Sequence, residues 1–468
     1  MKQFLTDDFL LNTEYAKTLY HNYAKDMPIF DWHCHLEAEE IYKNEKIESI
    51  TKAWLGGDHY KWRVMRAVGV DEELITGDAD DFDKFKAYAA TMPYLIGNPI
   101  YHWTHLELKN YFDIDYCLEK DTAEEIYKIA NEKLATDDFR PRGLIKMSNV
   151  AAVCTTNDPI DDLHYHDLLE EDESFDTLVK PAFRPDKAIA IEKEDYGAYI
   201  KKLSEVSGVD IKCFKTLKDA LYKRMEFFKE KGCGASDQAF KYVPFEKASD
   251  EEIDKIIKKK LAGQILSIKE EDAYKTSLMI WLGKIYKDFD WAMELHLGVI
   301  RDNSTKLEEK LGHDVGGDAT NDQYYAENLA NLLNEIEKIN GLPRTIIFPL
   351  NEAEFYPVST IAGSFNRGNA EGVLTAQLGP SWWHLDHKEG MLEQMKIMSA
   401  TSAFAKSIGM ITDSRSFLSY PRHEYYRRLL CRFVGQIVAD GEYPWDEQFL
   451  GQMIEDICFN NAKNIIKL

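Results

Sequence analysis

The amino-acid sequence predicts an α/β protein folded as a (β/α)8 barrel of the TIM type. Three observations support this fold: short β-rich runs alternate with longer helical stretches, eight such runs can be found, and each run ends in polar residues. Alternating strands and helices are typical of a parallel sheet covered by helices. In a (β/α)8 barrel the functional groups lie at the carboxyl ends of the strands. We therefore predict a distorted barrel over residues 28–468.

The predicted strands are spread unevenly along the chain. They are residues 28–35, 150–158, 179–186, 234–237, 293–298, 345–351, 373–378 and 408–413. The gap after the first strand is far longer than the roughly dozen residues that one crossover needs. Residues 54–142 in this gap are rich in aromatic side chains and helical patterning. We predict that residues 54–142 form a helical insertion capping the barrel mouth, and that residues 1–27 form a helical N-terminal arm.

Composition and charge exclude several classes of protein. The chain has 468 residues, is 44% hydrophobic, and carries a formal net charge of −24. These values argue against a disordered chain, a membrane bundle, a nucleic-acid partner and an anionic membrane partner. The seven cysteines form no CxxC pair, and no apolar stretch suits a signal peptide or a membrane span. The sequence therefore predicts a cytoplasmic protein with free thiols, and it leaves a homo-oligomer open.

The strongest local signal is the sequence DWHCH at residues 31–35, where the first predicted strand ends. Side chains alternate between the two faces of a strand, so His33 and His35 point the same way. Two imidazoles on one face can bind a single divalent cation. The alternative is a pair of partly exposed histidines with no ligand, and the position on the first strand makes the two interpretations about equal.

Asp413 follows the apolar run of the last predicted strand. With His33 and His35 it could complete a set of two histidines and one carboxylate that leaves coordination positions open. Arg415 lies two residues further on and would keep the neighbouring carboxylate ionised. Taken alone, Asp413 and Arg415 are better explained as a salt bridge at a strand end. Together with the two histidines they favour a metal site.

Four further residues are candidates for acid–base chemistry or for carboxylate binding. His59 and Tyr60 follow a pair of glycines and could move protons, although an ordinary loop entering a helix has the same pattern. Arg184 and Arg301 follow predicted strands and could clamp a carboxylate. Most arginines are surface residues, so each of these two is a weak candidate alone.

Three aromatic residues complete the candidate set. Trp382 and Trp383 follow the seventh predicted strand and could form the floor of a sugar site, although packing is the commoner role. His296 on the fifth predicted strand is either a further ligand or a hydrogen-bonding core residue. The sequence does not decide between these alternatives.

A His-x-His on the first strand with an Asp on the last is the pattern of the amidohydrolase superfamily. Within it, the chain closely resembles the uronate isomerase (glucuronate isomerase) family over essentially its whole length. The resemblance rests on PIFDWHCHLE, GGDHYKWRVMRAVGV, KPAFRPDKA and GMITDSRSFLSYPRHEYYRRLLC. It implies an aldose–ketose isomerase that interconverts D-glucuronate with D-fructuronate and D-galacturonate with D-tagaturonate. The proton would move between C2 and C1 through an enediol.

The resemblance also implies roles for individual residues. They are His33, His35 and Asp413 as ligands of one divalent metal ion such as Zn²⁺, and His59, Tyr60, Arg184 and Arg415 as substrate and catalytic residues. The chain departs from the family pattern at Gln238, where a His is usual, at Glu294, where a Gln is usual, and at residues 384–387. These departures leave the predicted reaction standing and leave the preferred sugar open.

Two other functions compete with the isomerase. A mononuclear metal-dependent hydrolase of the same superfamily is the closer one; a two-metal hydrolase would need a Lys on the fourth strand and a His on the sixth, and the sequence has neither. A non-catalytic sugar-acid sensor would not need His33, His35 and Asp413 together. Because the hexuronate substrate and the protein are both negative, we also expect a locally positive barrel mouth.

Overall fold

The computed structural model describes residues 4–369 and 371–468 of the chain. At its centre is a curled sheet of parallel strands. The strands are β1 (Ile29–Asp31), β2 (Val150–Asn157), β3 (Leu178–Phe183), β4 (Ala235–Phe240), β5 (Ala292–Leu297), β6 (Val299–Ile300), β7 (Ala319–Thr320), β8 (Thr345–Pro349) and β9 (Ala376–Leu378). The order in the sheet is β1-β2-β3-β4-β5-β8-β9, and β6 and β7 form a separate antiparallel pair. The α/β class predicted from the sequence is confirmed.

All neighbouring strands of the large sheet run parallel, so their carboxyl ends meet at one edge. The strands β5 and β8 are buried at every position. Strands covered on both faces read as continuous apolar runs, such as TIIFP in β8, and this explains why they were recognisable in the sequence. The polar positions in these strands therefore stand out as candidates for function.

The eighth predicted strand, residues 408–413, is not a strand in the structure. The segment lies beside β1, because the amide of Asp413 donates to the carbonyl of His33 at 3.2 Å. At its other end, the amide of Ile408 donates to the side chain of Gln377 in β9 at 3.0 Å. Asp413 has a φ of +47°, a left-handed conformation that interrupts a pleated strand. Within the described residues the sheet therefore has seven strands, and an eight-stranded barrel is not confirmed.

Helices cover the outer face of the sheet and fill the long connections. Before β2 they are α1 (Glu14–Leu19), α2 (Ala38–Lys43), α3 (Ile50–Leu55), α4 (His59–Ala67), α5 (Asp81–Thr91), α6 (Pro99–Phe112), α7 (Ala123–Leu134) and α8 (Pro141–Met147). Between β2 and β9 they are α9 (His164–Glu170), α10 (Asp186–Ile189), α11 (Tyr196–Ser207), α12 (Phe214–Glu230), α13 (Asp250–Leu261), α14 (Ile268–Asp288), α15 (Thr305–Leu311), α16 (Ala326–Asn340) and α17 (Phe355–Ser364). After β9 they are α18 (Lys388–Thr401), α19 (Pro421–Ala439), α20 (Glu447–Glu455) and α21 (Asn461–Ile465). Two π-helical turns are Tyr20–Ala24 and Asp456–Asn460.

The first helix lies within the predicted N-terminal arm and packs on α19. Gly435 of α19 allows the close approach, because a Cβ atom at this position would lie 2.5 Å from the backbone nitrogen of Ala16. The buried Ala16 and Leu19 share one apolar core with the helices between β1 and β2 and with the C-terminal helices. The described part of residues 1–27 is therefore packed against the rest of the protein. The division at residue 27 and the role of residues 54–142 as a cap stay predictions.

The interior of the curled sheet is filled with side chains. Small residues, among them Ala182 and Ala235, leave room there for Trp32 and Phe348, whose rings lie 5.7 Å apart. The interior is thus a packed core, and a large cavity opens beyond it at the carboxyl edge of the strands. Across the described residues, each helix is either too short or too polar to cross a bilayer.

Candidate active site

A cavity of about 960 Å³ opens at the carboxyl edge of the sheet. It collects every residue that the sequence analysis assigned to a site. They are His33, His35, His59, Tyr60, Arg184, His296, Arg301, Trp382, Trp383, Asp413 and Arg415. The topology explains this convergence, because the carboxyl ends of parallel strands meet at one edge. The roles of these residues are taken up below as proposals.

His33, His35 and Asp413 form a tight group. The Oδ1 atom of Asp413 lies 3.1 Å from Nε2 of His35 and 3.4 Å from Nε2 of His33. Each residue offers one ligand atom, and these atoms lie within 4.8 Å of one another, so the group could hold a metal ion. Burial alone would raise the pKa of the Asp413 carboxyl, but hydrogen bonds from the two histidines lower this pKa well below its usual range. The carboxylate is therefore ionised.

A second, fully buried group lies beneath the first and shares His33 with it. Its members are His33, Asp237 of β4, and Glu294 and His296 of β5, and this group also could hold a metal ion. Nδ1 of His33 lies 2.8 Å from Oε2 of Glu294, and Nδ1 of His296 lies 2.7 Å from Oδ1 of Asp237. Among the described residues, neither Glu294 oxygen nor Nε2 of His296 has a well-aligned hydrogen-bond partner. Such unpaired buried polar atoms need an explanation, and a ligand or ordered water would supply one.

The sequence analysis did not assign Asp237 or Glu294 to the site. Asp237 lies in β4 and Glu294 in β5, and both side chains are 0% exposed. Acidic residues are almost never fully buried unless they are paired. In the sequence, however, Asp237 stands between the polar Ser236 and Gln238, and Glu294 stands two residues before His296, so neither carried a clear signal by itself.

Arg184 is held by two carboxylates at the edge of β3 and β4. Its Nε atom lies 2.8 Å from Oδ2 of Asp186, and one of its amino groups lies 3.0 Å from Oδ2 of Asp237. Burial alone would lower the pKa of the Arg184 guanidinium, but Asp237 and Asp186 raise it above its usual value. Arg184 is permanently charged. Asp237 lies in β4, and Asp186, at the start of α10, accepts a hydrogen bond from the amide of Ala239 in β4 at 3.1 Å.

Helix α4 places His59 and Tyr60 over the cavity. Asp58 caps this helix by accepting hydrogen bonds from the amides of Tyr60 and Lys61, at 3.0 and 3.2 Å. Burial lowers the pKa of His59 and raises the pKa of Tyr60 well above its usual value. His59 is thus neutral and Tyr60 protonated near pH 7, so both can donate or accept hydrogen bonds without a change of charge.

The two tryptophans contact different residues of the site. The ring of Trp382 packs against His296, with centroids 4.6 Å apart, and belongs to the core of the curled sheet. The guanidinium carbon of Arg301 is 4.9 Å from the ring of Trp383, and His59 contacts the edge of this ring. Both tryptophans are buried in this core, and both rings line the cavity.

The charges around the cavity differ from our expectation. The acidic lining residues are Glu37, Glu40, Glu48, Asp58, Asp158, Asp186, Asp314 and Asp413. The basic lining residues are Lys52, Arg184, Lys187, Arg301, Arg415 and Arg422. The carboxylates are more numerous, and several of them pair with the arginines. The lining does not carry the surplus of positive charge that we expected.

The fold and the cavity together define a class of protein. It is an α/β protein with a group of residues that could bind a metal ion at the carboxyl edge of a parallel sheet. A family model described as glucuronate isomerase matches residues 1–466. A protein from Caldanaerobacter subterraneus, named uronate isomerase, is 49% identical over 99% of both chains. A uronate isomerase from Caldicellulosiruptor bescii is 50% identical over the same shares.

Solved structures agree with the sequence relatives. A uronate isomerase from Thermotoga maritima superposes with a TM-score of 0.93 at 32% identity, covering 99% of this chain and 100% of that one. A glucuronate isomerase from Caulobacter crescentus gives a TM-score of 0.90 at 25% identity, covering 99% and 97%. The chain belongs to the glucuronate isomerase family. The resemblance stated from the sequence and the enzyme class that it implies, an aldose–ketose isomerase, are thereby confirmed.

Proposed function

We propose that the protein interconverts D-glucuronate with D-fructuronate and D-galacturonate with D-tagaturonate. Membership of the glucuronate isomerase family supports this class of reaction, an aldose–ketose isomerisation. The observation that carries the site is the meeting of His33, His35 and Asp413 in a cavity that also holds four arginines with carboxylate partners. A hexuronate in its open-chain form offers a carbonyl, hydroxyls and a carboxylate to these groups. No observation favours the hydrolase alternative.

The reaction requires that a proton leaves C2 and that one returns to C1, through an enediol. By their chemistry, the Asp413 carboxylate can accept a proton and the Tyr60 hydroxyl can donate one. Both lie at the same cavity, within reach of one substrate. A positioned acid or base typically contributes about 10²–10⁴-fold to the rate. We propose these two residues as the groups that move the carbon-bound and oxygen-bound protons.

We propose that His33, His35 and Asp413 bind one divalent ion, and that this ion is Zn²⁺. Two imidazoles and one carboxylate are a donor set that suits zinc and leaves positions open for a substrate. When bound, the ion supplies positive charge to the oxygens of the reacting carbons. Glu294 lies 2.8 Å from Nδ1 of His33 and so places a negative charge on the side of the ring opposite Asp413, in the position of an outer partner of a metal ligand.

The remaining cavity residues are proposed to bind and orient the sugar acid. Arg415 is a catalytic residue in this proposal, since a guanidinium near the reacting carbons stabilises the negative enediolate; losing one such contact typically costs about 3–4 kcal/mol. Arg301 is proposed to bind the substrate carboxylate, and Arg184 contributes a fixed positive charge. His59 and His296 can hydrogen-bond hydroxyl groups, while Trp382 and Trp383 form the floor.

We propose that the curled sheet and the segment 408–413 together form a distorted (β/α)8 barrel of the amidohydrolase type. The segment bridges β9 and β1, and this position supports closure without a regular ladder. The helices between β1 and β2, which place Asp58 to Tyr60 at the cavity, support the role of residues 54–142 as its cap. Seven free cysteines support a cytoplasmic location.

The test is to incubate the purified protein separately with D-glucuronate and D-galacturonate and to measure ketose formation, with and without a chelator. We expect ketose from at least one sugar, exchange of the C2 hydrogen with solvent, and loss of activity with chelator. Hydrolysis of a lactone or amide panel, with no C2 exchange, would instead support the hydrolase. Binding of the sugar acid without turnover would support the sensor.

A further inference from the structure

The arginines of the cavity differ in how their carboxylate partners are held. Arg184 pairs with Asp237, which is 0% exposed and fixed in β4. Arg301 and Arg415, in contrast, share Asp314, whose side chain is 46% exposed and lies on the connection between β6 and β7. A carboxylate on an exposed loop can leave its partner, whereas a carboxylate buried in a strand cannot. The pair of Arg301 and Arg415 is therefore the part of the cavity whose anion can be exchanged.

Asp314 bridges the two arginines with one oxygen on each. Its Oδ1 lies 3.2 Å from a terminal nitrogen of Arg301, and its Oδ2 lies 3.0 Å from a terminal nitrogen of Arg415. Arg301 keeps a second partner, Asp318, at 2.8 Å, and that carboxylate is only 3% exposed. Arg301 thus has one permanent and one removable carboxylate. The bridging carboxylate has the charge and the shape that the carboxylate of a sugar acid would bring.

The loop around Asp314 is anchored independently of its side chain. Arg66 of α4 donates to the carbonyl of Val315, and Arg63 donates to the carbonyl of Asp318 at 2.6 Å. Every residue of α15 on the same connection is exposed or half-buried. Because these backbone contacts do not involve the Asp314 carboxylate, its side chain can leave the arginines while the loop remains docked on α4.

We propose that Asp314 occupies the place of the substrate carboxylate in the ligand-free protein and is displaced by it. The proposal rests on the isomerase function argued above. Displacement makes Asp314 a specificity-determining residue. A sugar acid replaces one carboxylate by another on Arg301 and leaves Arg415 free to face the reacting carbons. An uncharged aldose offers no anion for the exchange.

This exchange lowers the apparent affinity for every sugar acid, because only the fraction of molecules with Asp314 displaced can bind. If about one molecule in five is in that state, removing the Asp314 charge strengthens binding about five-fold. The suitable variant is Asp314→Asn, since Asp314 has a φ of +56° and Asn tolerates this left-handed conformation as Asp does. Asp314→Gly removes the side chain and also tolerates that backbone.

The experiment measures the dissociation constant of galactarate by calorimetry, together with KM for the sugar that the wild type isomerises. Galactarate is a hexaric acid with a carboxylate at both ends and no carbonyl to isomerise, so it reports binding without turnover. Asp302→Asn is the matched control: Asp302 lies on the same loop with a φ of +51°, but its carboxylate faces His313 at 2.7 Å instead of the arginines. Melting curves verify that the variants are folded.

We expect Asp314→Asn and Asp314→Gly to lower the dissociation constant and KM about five-fold, and Asp302→Asn to change neither. An unchanged or weaker affinity in both Asp314 variants would overturn the inference, because Asp314 would then support the arginines without competing for them. An equal gain in Asp302→Asn would also overturn it, since the effect would be one of net charge. Failure of the wild type to form ketose rejects the proposed function and leaves the galactarate comparison to decide the role of Asp314.

Discussion

Two groups of potential ligands meet at His33, and they differ in burial and in how visible they are in the sequence. His35 and Asp413, on the open side, have side chains that are 26% and 12% exposed. Asp237 and Glu294, on the closed side, are 0% exposed. The open side faces the cavity and can reach a substrate, whereas Asp237 and Glu294 contact the histidines and Arg184. The difference indicates that chemistry takes place on the open side and that the closed side sets the orientation and charge of its ligands.

Asp413→Asn should have the largest effect, because it removes both a proposed ligand and a proposed base from the open side. We expect a loss of isomerisation of at least about 10²–10⁴-fold. Circular dichroism and thermal unfolding should show that the fold is kept. Full turnover by this variant would show that the chemistry does not depend on Asp413. The open side would then not be the reactive side of the site.

Glu294→Gln tests the closed side. The amide keeps the size of the side chain but removes the charge that faces Nδ1 of His33 at 2.8 Å. Partners of this kind typically change metal affinity by about 10–100-fold, so we expect a weakening of that order in a chelator competition. The control is Glu39→Gln, because Glu39 is exposed. Gln238→Glu on the same sheet would bury a new charge and is therefore unsuitable. If Glu294→Gln left the metal affinity unchanged, Glu294 would have no effect on His33 as a metal ligand.

Arg415→Lys tests whether the open side needs a planar guanidinium. An ammonium group keeps the charge but cannot reproduce the flat fork of donors, so we expect kcat/KM to fall by roughly 10–100-fold. Arg367→Lys is the control, because Arg367 is 60% exposed and pairs with Glu337 away from the cavity. Steady-state kinetics of the two variants decide the point, and an equal, small effect in both would make charge alone sufficient.

Asp386→Asn should have the smallest effect, which is a change in how stability depends on pH. It compares two buried carboxylates, Asp386 and Asp237, of which only Asp237 is paired closely with a cation. Burial raises the pKa of Asp386 to about 7, since Arg422 is 3.8 Å away and compensates only in part. The folded state then holds a proton that the unfolded state releases near pH 4, so wild-type stability falls as the pH rises from about 4 to 7. The Asp386→Asn variant has no carboxyl group to titrate at this position, so its stability does not fall for this reason. Urea unfolding at pH 5 and 7.5 should show its stability rising relative to wild type at the higher pH, and a parallel pH dependence would contradict the assignment.

Much of the fold could be predicted because fully buried parallel strands read as apolar runs. The run at residues 345–349 was recognised for this reason, and the polar residues after such runs identified the open side of the site. The prediction of a strand at residues 408–413 was wrong. The apolar composition of this segment reflects its burial, and its left-handed residues prevent regular hydrogen bonding to a neighbouring strand. The short pair β6 and β7 was missed, since two-residue strands carry no periodic signal.

The closed side and the loop carboxylate could not be predicted in the same way. Asp237 and Glu294 become meaningful only when their neighbours in space are known, because a single acidic residue in a strand has no periodic partner along the chain. Asp314 lies in a loop whose sequence, GHDVGGD, is typical of any exposed turn. Its contact with Arg415, a residue far away in the sequence, depends on the three-dimensional path of the chain.

The most direct measurement is the metal content of the protein after dialysis, for the wild type and for His33→Ala, His35→Ala and Asp413→Asn, with ketose formation assayed on the same samples. We predict one tightly bound divalent ion per wild-type chain, its loss in all three variants, and a loss of ketose formation in parallel. A full complement of metal in the variants, or unimpaired isomerisation by protein that holds no ion, would contradict this assignment.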